Sequence, residues 1–360
     1  MKHAIPILGG LALAMSGTLY GAPADNPSFQ ARLESELQQA VKPGEPGLAV
    51  CVASNGAISN LAARGLARLE DKTPMTVDTP VYIASLAKGF TTVAILKLVE
   101  EKRLSLDDRV GEHLPGLPAY MAPVTVRHLL THTAGVPDHE DSLESKPGLT
   151  NAEVMAFLHQ QSSLTAPAGT KWNYSNAGFV VLAELFAAVA GETLDRYVTR
   201  TMFQPLGMNS SFYLTGETAG RPRAIGYRQA SGAWVRDDYQ SRTIGPGGIY
   251  ASARDLCTWG LALDSGKVLK RMTLIAAYSP HVDSGARPTP MGLGFQVEDI
   301  PKGSLKGQWY AALFGDRDGF RGVDMKLKSH PFRYAQLSNS SRQLEPMLVP
   351  DLFFGPSTQP

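Results

Sequence analysis

Cysteine is scarce in this sequence: Cys51 and Cys257 are the two in 360 residues. Two thiols are no disulfide framework, so the fold has to rest on a packed core. Cys51 lies in the apolar stretch GLAVCVAS, where cysteine commonly acts as a small apolar residue. Both are therefore expected as free buried thiols. An excess of one charge is also missing. Lys plus Arg number 34 and Asp plus Glu 33, a formal net charge of +1. That balance, with no basic–aromatic stripe, argues against nucleic acid or an anionic membrane surface as partner. The apolar run at the N-terminus, IPILGGLALAM, has eleven residues, too few to span a bilayer.

That run reads instead as an export signal. Lys2 supplies a positive start, the run is the apolar middle, and Ala22–Pro23–Ala24 offers small residues for cleavage. No cysteine follows it closely, which argues against a lipoprotein. The expectation is a signal peptide over residues 1–24 and a periplasmic or secreted mature chain. The whole chain is 43% hydrophobic and 19% charged, ordinary for a globular protein with ample core.

NPSFQARLESELQQAV reads as an amphipathic helix. GLAVCVAS, the turn signal Asn55–Gly56 and AISNLAARGLARL read as a hairpin. Helical patterns such as VTVRHLLTHT, NAEVMAFLHQQ, AGFVVLAELFAAVAG and SARDLCTWGLALDSG dominate the middle. Strand patterns return in GLGFQVED, GQWYAALFG, FRGVDMKLK and FRYAQLSN. This order predicts an α/β (α+β) fold, an antiparallel sheet from both chain ends flanked by helices. Residues 25–360 form the domain, with sheet regions about 25–105 and 285–345 and a mostly helical insertion about 106–284. Loops 115–123 and 139–150 are placed at the border of a cleft.

YIASLAKGF, at residues 82–90, sets Ser85 and Lys88 three apart at the head of an apolar helix. That spacing projects both side chains from one face. A buried lysine has a depressed pKa, and its neutral amine can take the serine proton. PAGTKWNYSNAGFVVLAE then places Tyr174, Ser175 and Asn176 at the start of a second apolar helix.

With these two motifs the chain resembles the serine β-lactamase and penicillin-recognition superfamily, in particular class C β-lactamases and related D-peptidases and esterases. VTVRHLLTHTAGVPD, FQPLGMNSS, GPGGIYASARDLCTWG and MGLGF extend the likeness from about Gly47 to Asn339. The resemblance implies Ser85 as nucleophile, with Lys88 and Tyr174 sharing its proton transfer, and Asn176 donating its amide to substrate or to Lys88. Relatives carry K-[TS]-G or H-x-G on a strand beside the site. Counting back from Gly319–Phe320 puts Leu313, Phe314 and Gly315 there, so a leucine stands where relatives have a cation or imidazole. By the same likeness these three and Asp316 are candidate substrate-binding residues. The backbone N–H groups of Ser85 and Asp316 are the candidate oxyanion donors. Arg317 and Arg321 follow as possible substitutes for the missing cation.

His128 and His132 have the i, i+4 spacing of helical zinc ligands, but no Glu follows the first as in H-E-x-x-H, and they are expected to be structural. HEDSLE, from His139 to Glu144, is expected to be a solvated loop. GPGGIY lacks the strand–turn–helix setting of a phosphate loop. No metal or cofactor is expected. The implied partner is a small-molecule or peptide acyl substrate: an ester, a D-amino-acid peptide or amide, or a β-lactam. The alternative, suggested by Leu313, is a catalytically impaired binding protein that keeps the cleft.

Overall fold

The computed structural model describes residues 27–143, 148–238, 242–282, 290–300, 305–346 and 348–355. The expected signal peptide lies outside these residues. Among them, no single helix is long and apolar enough to cross a membrane.

The centre is a six-stranded antiparallel sheet. Its strands are β1 (Leu48–Ser54), β2 (Ala57–Arg64), β3 (Gln296–Asp299), β4 (Trp309–Arg317), β5 (Phe320–Leu327) and β6 (Phe332–Ser338), in the order β3-β4-β5-β6-β1-β2. As the sequence suggested, both chain ends build it. The seam is β1 against β6, with Leu48 opposite Ser338 and Ser54 opposite Phe332. Asn55 and Gly56, both at positive φ (51° and 83°), form the β1–β2 turn. This backbone matches the strand twist and favours an Asn-Gly pair.

β1 is buried along its whole length because both faces of the sheet are covered. Its residues alternate, as a strand of period two must. Leu48, Val50 and Val52 enter one core with Phe29, Leu33 and Leu37 of α1 (Pro27–Ala40). Ala49, Cys51 and Ala53 enter the larger core on the other face, which holds α2 (Ala87–Glu100). That core also takes in α3 (Val126–Leu130), α4 (Asn151–His159), α5 (Asn176–Ala190), α6 (Ala253–Asp264) and α7 (Arg271–Ala277). A final helix, α8 (Leu348–Phe354), returns to the first core, where Phe353 meets Phe29 edge-on at 4.9 Å between ring centroids.

The two cysteines are not free. Cys51 of β1 and Cys257 of α6 are joined in a disulfide with a Cα–Cα separation of 6.3 Å. The expectation of two thiols failed because the sequence does not reveal that α6 packs across β1. A small three-stranded sheet has Ile249–Ala251 between Val81–Tyr82 and Phe212–Tyr213. It ties the segment entering α2 to the glycine-rich loop before Ile249, which brings both to one cleft.

Candidate active site

Ser85 sits in a 3-10 turn, Ala84–Leu86, that runs directly into α2. Ala84 has a φ of 47°, in the left-handed region that a side chain normally avoids, at a cost of about 1 kcal/mol. One turn later Lys88 is 2% exposed. α2 is apolar nearly all round, so the ammonium is carried into the interior with the helix. Its Nζ lies 3.0 Å from Ser85 Oγ, 2.5 Å from Asn176 Oδ1 and 3.3 Å from the Pro246 carbonyl oxygen. Burial pulls its pKa down to about 7, against the opposing charges of Glu140 and Asp138. The amine is therefore partly neutral near pH 7.

Ser175 caps α5, its hydroxyl accepting from Gly178 N at 3.0 Å. The cap sets Tyr174 just outside the helix and Asn176 just inside it. Asn176 N donates to Asp138 Oδ2 at 2.6 Å. Tyr174 OH lies 2.6 Å from Ser85 Oγ. Its ring covers Lys88 Nζ at 4.7 Å from the centroid, and His132 stacks behind it at 4.5 Å. Burial raises the Tyr174 phenol above its ordinary range, with the Ser85 hydrogen bond acting the other way. The phenol is therefore protonated near neutral pH.

His128 and His132 have separate structural tasks. His128 Nδ1 accepts from Thr125 N at 3.3 Å and helps cap α3. His132 is 4% exposed, accepts from Ser175 N at 3.2 Å and braces the Tyr174 ring. Burial, then the nearby Lys88 charge, lower its pKa to about 3, so it is neutral.

The strand residues divide. Leu313 and Gly315 share a face of β4: Leu313 is 6% exposed, belongs to the larger core and packs on Gly89 of α2, while Gly315 lies against Ile83 and Leu86 of the segment that carries Ser85. Phe314 faces the opposite core. The Leu313 and Phe314 side chains thus enter the two cores on either face of the sheet. Gly315 instead allows close approach, since a Cβ there would stand 2.4 Å from the Ile83 carbonyl oxygen. Asp316 does line the cleft, and pairs with Arg321 at 2.8 Å.

Across the opening, Arg317 of β4 meets Glu140 at 3.1 Å. His139, Glu140, Thr243, Pro246 and Gly247 also line the space. His139 is 4% exposed, so the beginning of HEDSLE is not a solvated loop. The feature of the sequence that marks this position is a histidine set between two carboxylates, Asp138 and Glu140. The Pro246 contribution is a carbonyl, which no side-chain pattern announces.

The whole arrangement lies inside one recognisable unit, because residues 31–322 match the family model described as Beta-lactamase. The chain belongs to the beta-lactamase family. It is 31% identical over 222 residues to the "Putative penicillin-binding protein PbpX" of Bacillus subtilis, covering 61% of this chain and 54% of that protein. It therefore spans about half the length of that relative. The crystal structure of a penicillin binding protein from Bacillus halodurans superposes with a TM-score of 0.74 at 25% identity, over 90% of this chain and 96% of that one. The D-amino acid amidase of Ochrobactrum anthropi SV3, complexed with L-phenylalanine amide, gives a TM-score of 0.71 at 22% identity, over 87% of this chain and 91% of that one. At that identity it supports the shared fold alone.

Proposed function

We propose that this beta-lactamase family member is an exported serine hydrolase that forms an acyl-enzyme on Ser85, with uncharged esters or amides as its better substrates. The observation that carries the reading is Lys88, buried, held at about 7, and 3.0 Å from Ser85 Oγ. In its neutral form the amine donates its two N–H groups to Asn176 Oδ1 and the Pro246 carbonyl, the other two acceptors in reach. The lone pair is then left for the Ser85 hydroxyl proton.

Ser85 Oγ attacks the acyl carbon as its proton passes to Lys88 Nζ. The N–H groups of Ser85 and Asp316 receive the developing oxyanion. β3 pairs with β4 only as far as Ala312, which leaves the β4 edge beyond it without a strand neighbour among the described residues. Tyr174, kept protonated, hands its proton to the leaving group, and the phenolate takes one back directly from the neighbouring Lys88 ammonium, because the acylated Ser85 Oγ has no proton to relay. Water then cleaves the acyl-serine by the reverse proton route, releasing the acid and restoring Ser85.

The preference for uncharged substrates rests on three side chains. Leu313 offers no cation, Arg317 is engaged by Glu140, and Arg321 by Asp316. A substrate carboxylate has to break one of these pairs to be held. Export rests on Lys2, the apolar run and the Ala22–Pro23–Ala24 site.

The test is mass spectrometry after incubation with a serine-reactive phosphonate, followed by kcat/KM for neutral p-nitrophenyl esters, D-amino-acid anilides and a cephalosporin. One adduct, on Ser85, and a higher kcat/KM for the neutral substrates support the reading. An unmodified Ser85 with no turnover favours a binding protein. Efficient cephalosporin hydrolysis that is lost in Arg317→Ala refutes the substrate preference.

A further inference from the structure

Far from Ser85, the turn between β5 and β6 closes one side of a cavity of about 670 Å³. The other side is the end of α6 and the exposed face of α7. β5 starts beside the cleft at Phe320 and ends at Leu327, so the cavity is on the order of 25 Å away along the strand. The volume falls in the range of small-molecule sites, roughly 300–1,000 Å³.

Its charge is one-sided. Arg271, Lys326, Lys328 and Arg333 line it, against the single carboxylate of Asp264. Asp264 serves two of these cations, lying 3.2 Å from Arg333 Nε and 3.9 Å from Lys326 Nζ. Asp324, behind, approaches Arg333 Nη1 at 3.7 Å. Four cations thus share two carboxylates. Arg333 is 2% exposed, and burial draws Lys326 down to about 8. Asp264 and Asp324 balance the two more buried cations, Arg333 and Lys326, which leaves the exposed Arg271 and Lys328 at the rim as the charges an incoming anion can pair with. The walls are apolar: Leu261, Leu274, Tyr278 and Pro331 line them, with Ile275, 47% exposed, at the lip.

We propose that this cavity binds a small amphipathic organic anion, a carboxylate or phosphate head on an apolar body, at a site separate from the hydrolytic cleft. The head meets Arg271 and Lys328 above the Lys326–Arg333 floor, and the apolar body lies on α7. The balanced net charge of the chain favours a small molecule over a polyanion, because the positive potential is confined to a cavity rather than spread along a face.

Isothermal titration of the full chain tests this with octanoate, octyl phosphate, octanol and inorganic phosphate, each below any micelle concentration. One equivalent of octanoate or octyl phosphate should bind at least tenfold more tightly than octanol and than inorganic phosphate. Which of the two binds identifies the head group. Arg271→Ala/Lys328→Ala, both at exposed positions, should weaken that binding at least tenfold while ester hydrolysis stays within twofold of wild type. Equal binding of octanol, no binding of either amphipathic anion, or unchanged binding in the double variant would each overturn the proposal.

Discussion

Lys88 is a charged residue in a place that disfavours charge, and the two protonation states differ in what they can do. Protonated, it donates to three acceptors; neutral, it can remove the proton of Ser85. Activity should therefore fall as pH drops below about 7, where the amine is held. Stability responds in a defined direction. The unfolded lysine titrates near 10.4, so between about 7 and that value the unfolded chain binds more protons. The Lys88 contribution to stability then rises with pH across that window and is lowest below about 7. Urea unfolding at pH 7.5, 8.5 and 9.5 should show wild type gaining on Lys88→Met by up to about 1.4 kcal/mol per unit. Parallel curves would mean that Lys88 is not held low. Ser85 and Lys88 should also act as a unit in catalysis. Each alanine variant should lose about 10³-fold or more in kcat, and the double variant little beyond the worse single one. Independent, multiplying losses would separate their roles.

Helix α2 and strand β4 show what the amino-acid pattern reveals about elements and where it stops. The apolar course of α2, the serine–lysine spacing and the Tyr174–Asn176 pair are side-chain signals, and all three were readable. The side on which Leu313 lies was not. Alternation along β4 fixes two faces but does not say that the Leu313 face is sealed by α2 instead of open to the cleft. The seal is Gly89, where a Cβ would stand 2.6 Å from Leu313 Cδ1 and 2.8 Å from Trp259 Cη2. Trp259 cannot retreat easily, since it is buried and stacked on Phe90 at 4.2 Å. Replacing a helical glycine by alanine normally favours the helix by about 1 kcal/mol. Here overpacking of about 1–3 kcal/mol opposes it. Gly89→Ala should therefore lower the urea midpoint in wild type but cost much less in a Leu313→Ala background. An equal loss in both backgrounds would show that Leu313 does not set the spacing. The stretches of two or three residues at Val81–Tyr82, Phe212–Tyr213 and Ile249–Ala251 were equally hidden, because two or three residues are too few to display a period.

Across the molecule, the Cys51–Cys257 link joins positions 206 residues apart. Closing so long a loop in the unfolded chain limits its freedom, worth up to about 5 kcal/mol in the chain-entropy account. Cys51→Ala/Cys257→Ala should lower unfolding stability by about 2–5 kcal/mol in urea titrations. A loss under about 1 kcal/mol would assign that junction to packing alone. That both chain ends build one sheet was legible at this scale, since strand patterns at the ends enclose helical ones; the order of the strands within it was not. The cysteine pairing was not, because it depends on which helix crosses β1.

The β1–β6 seam has a further consequence, for the chain while it is being made. The β1–β2 hairpin is complete at Arg64, but the strand that covers its open side begins at Phe332. At the usual 5–20 residues per second, translation takes roughly 15–55 s between the end of β1 and the start of β6. Throughout that interval LAVCVAS is an apolar edge without its neighbour, a template for pairing with other chains. Ribosomes stalled at residue 300 should therefore carry chains that capture a holding chaperone through this hairpin. Chains stalled far enough downstream for Ser338 to leave the exit tunnel should release it.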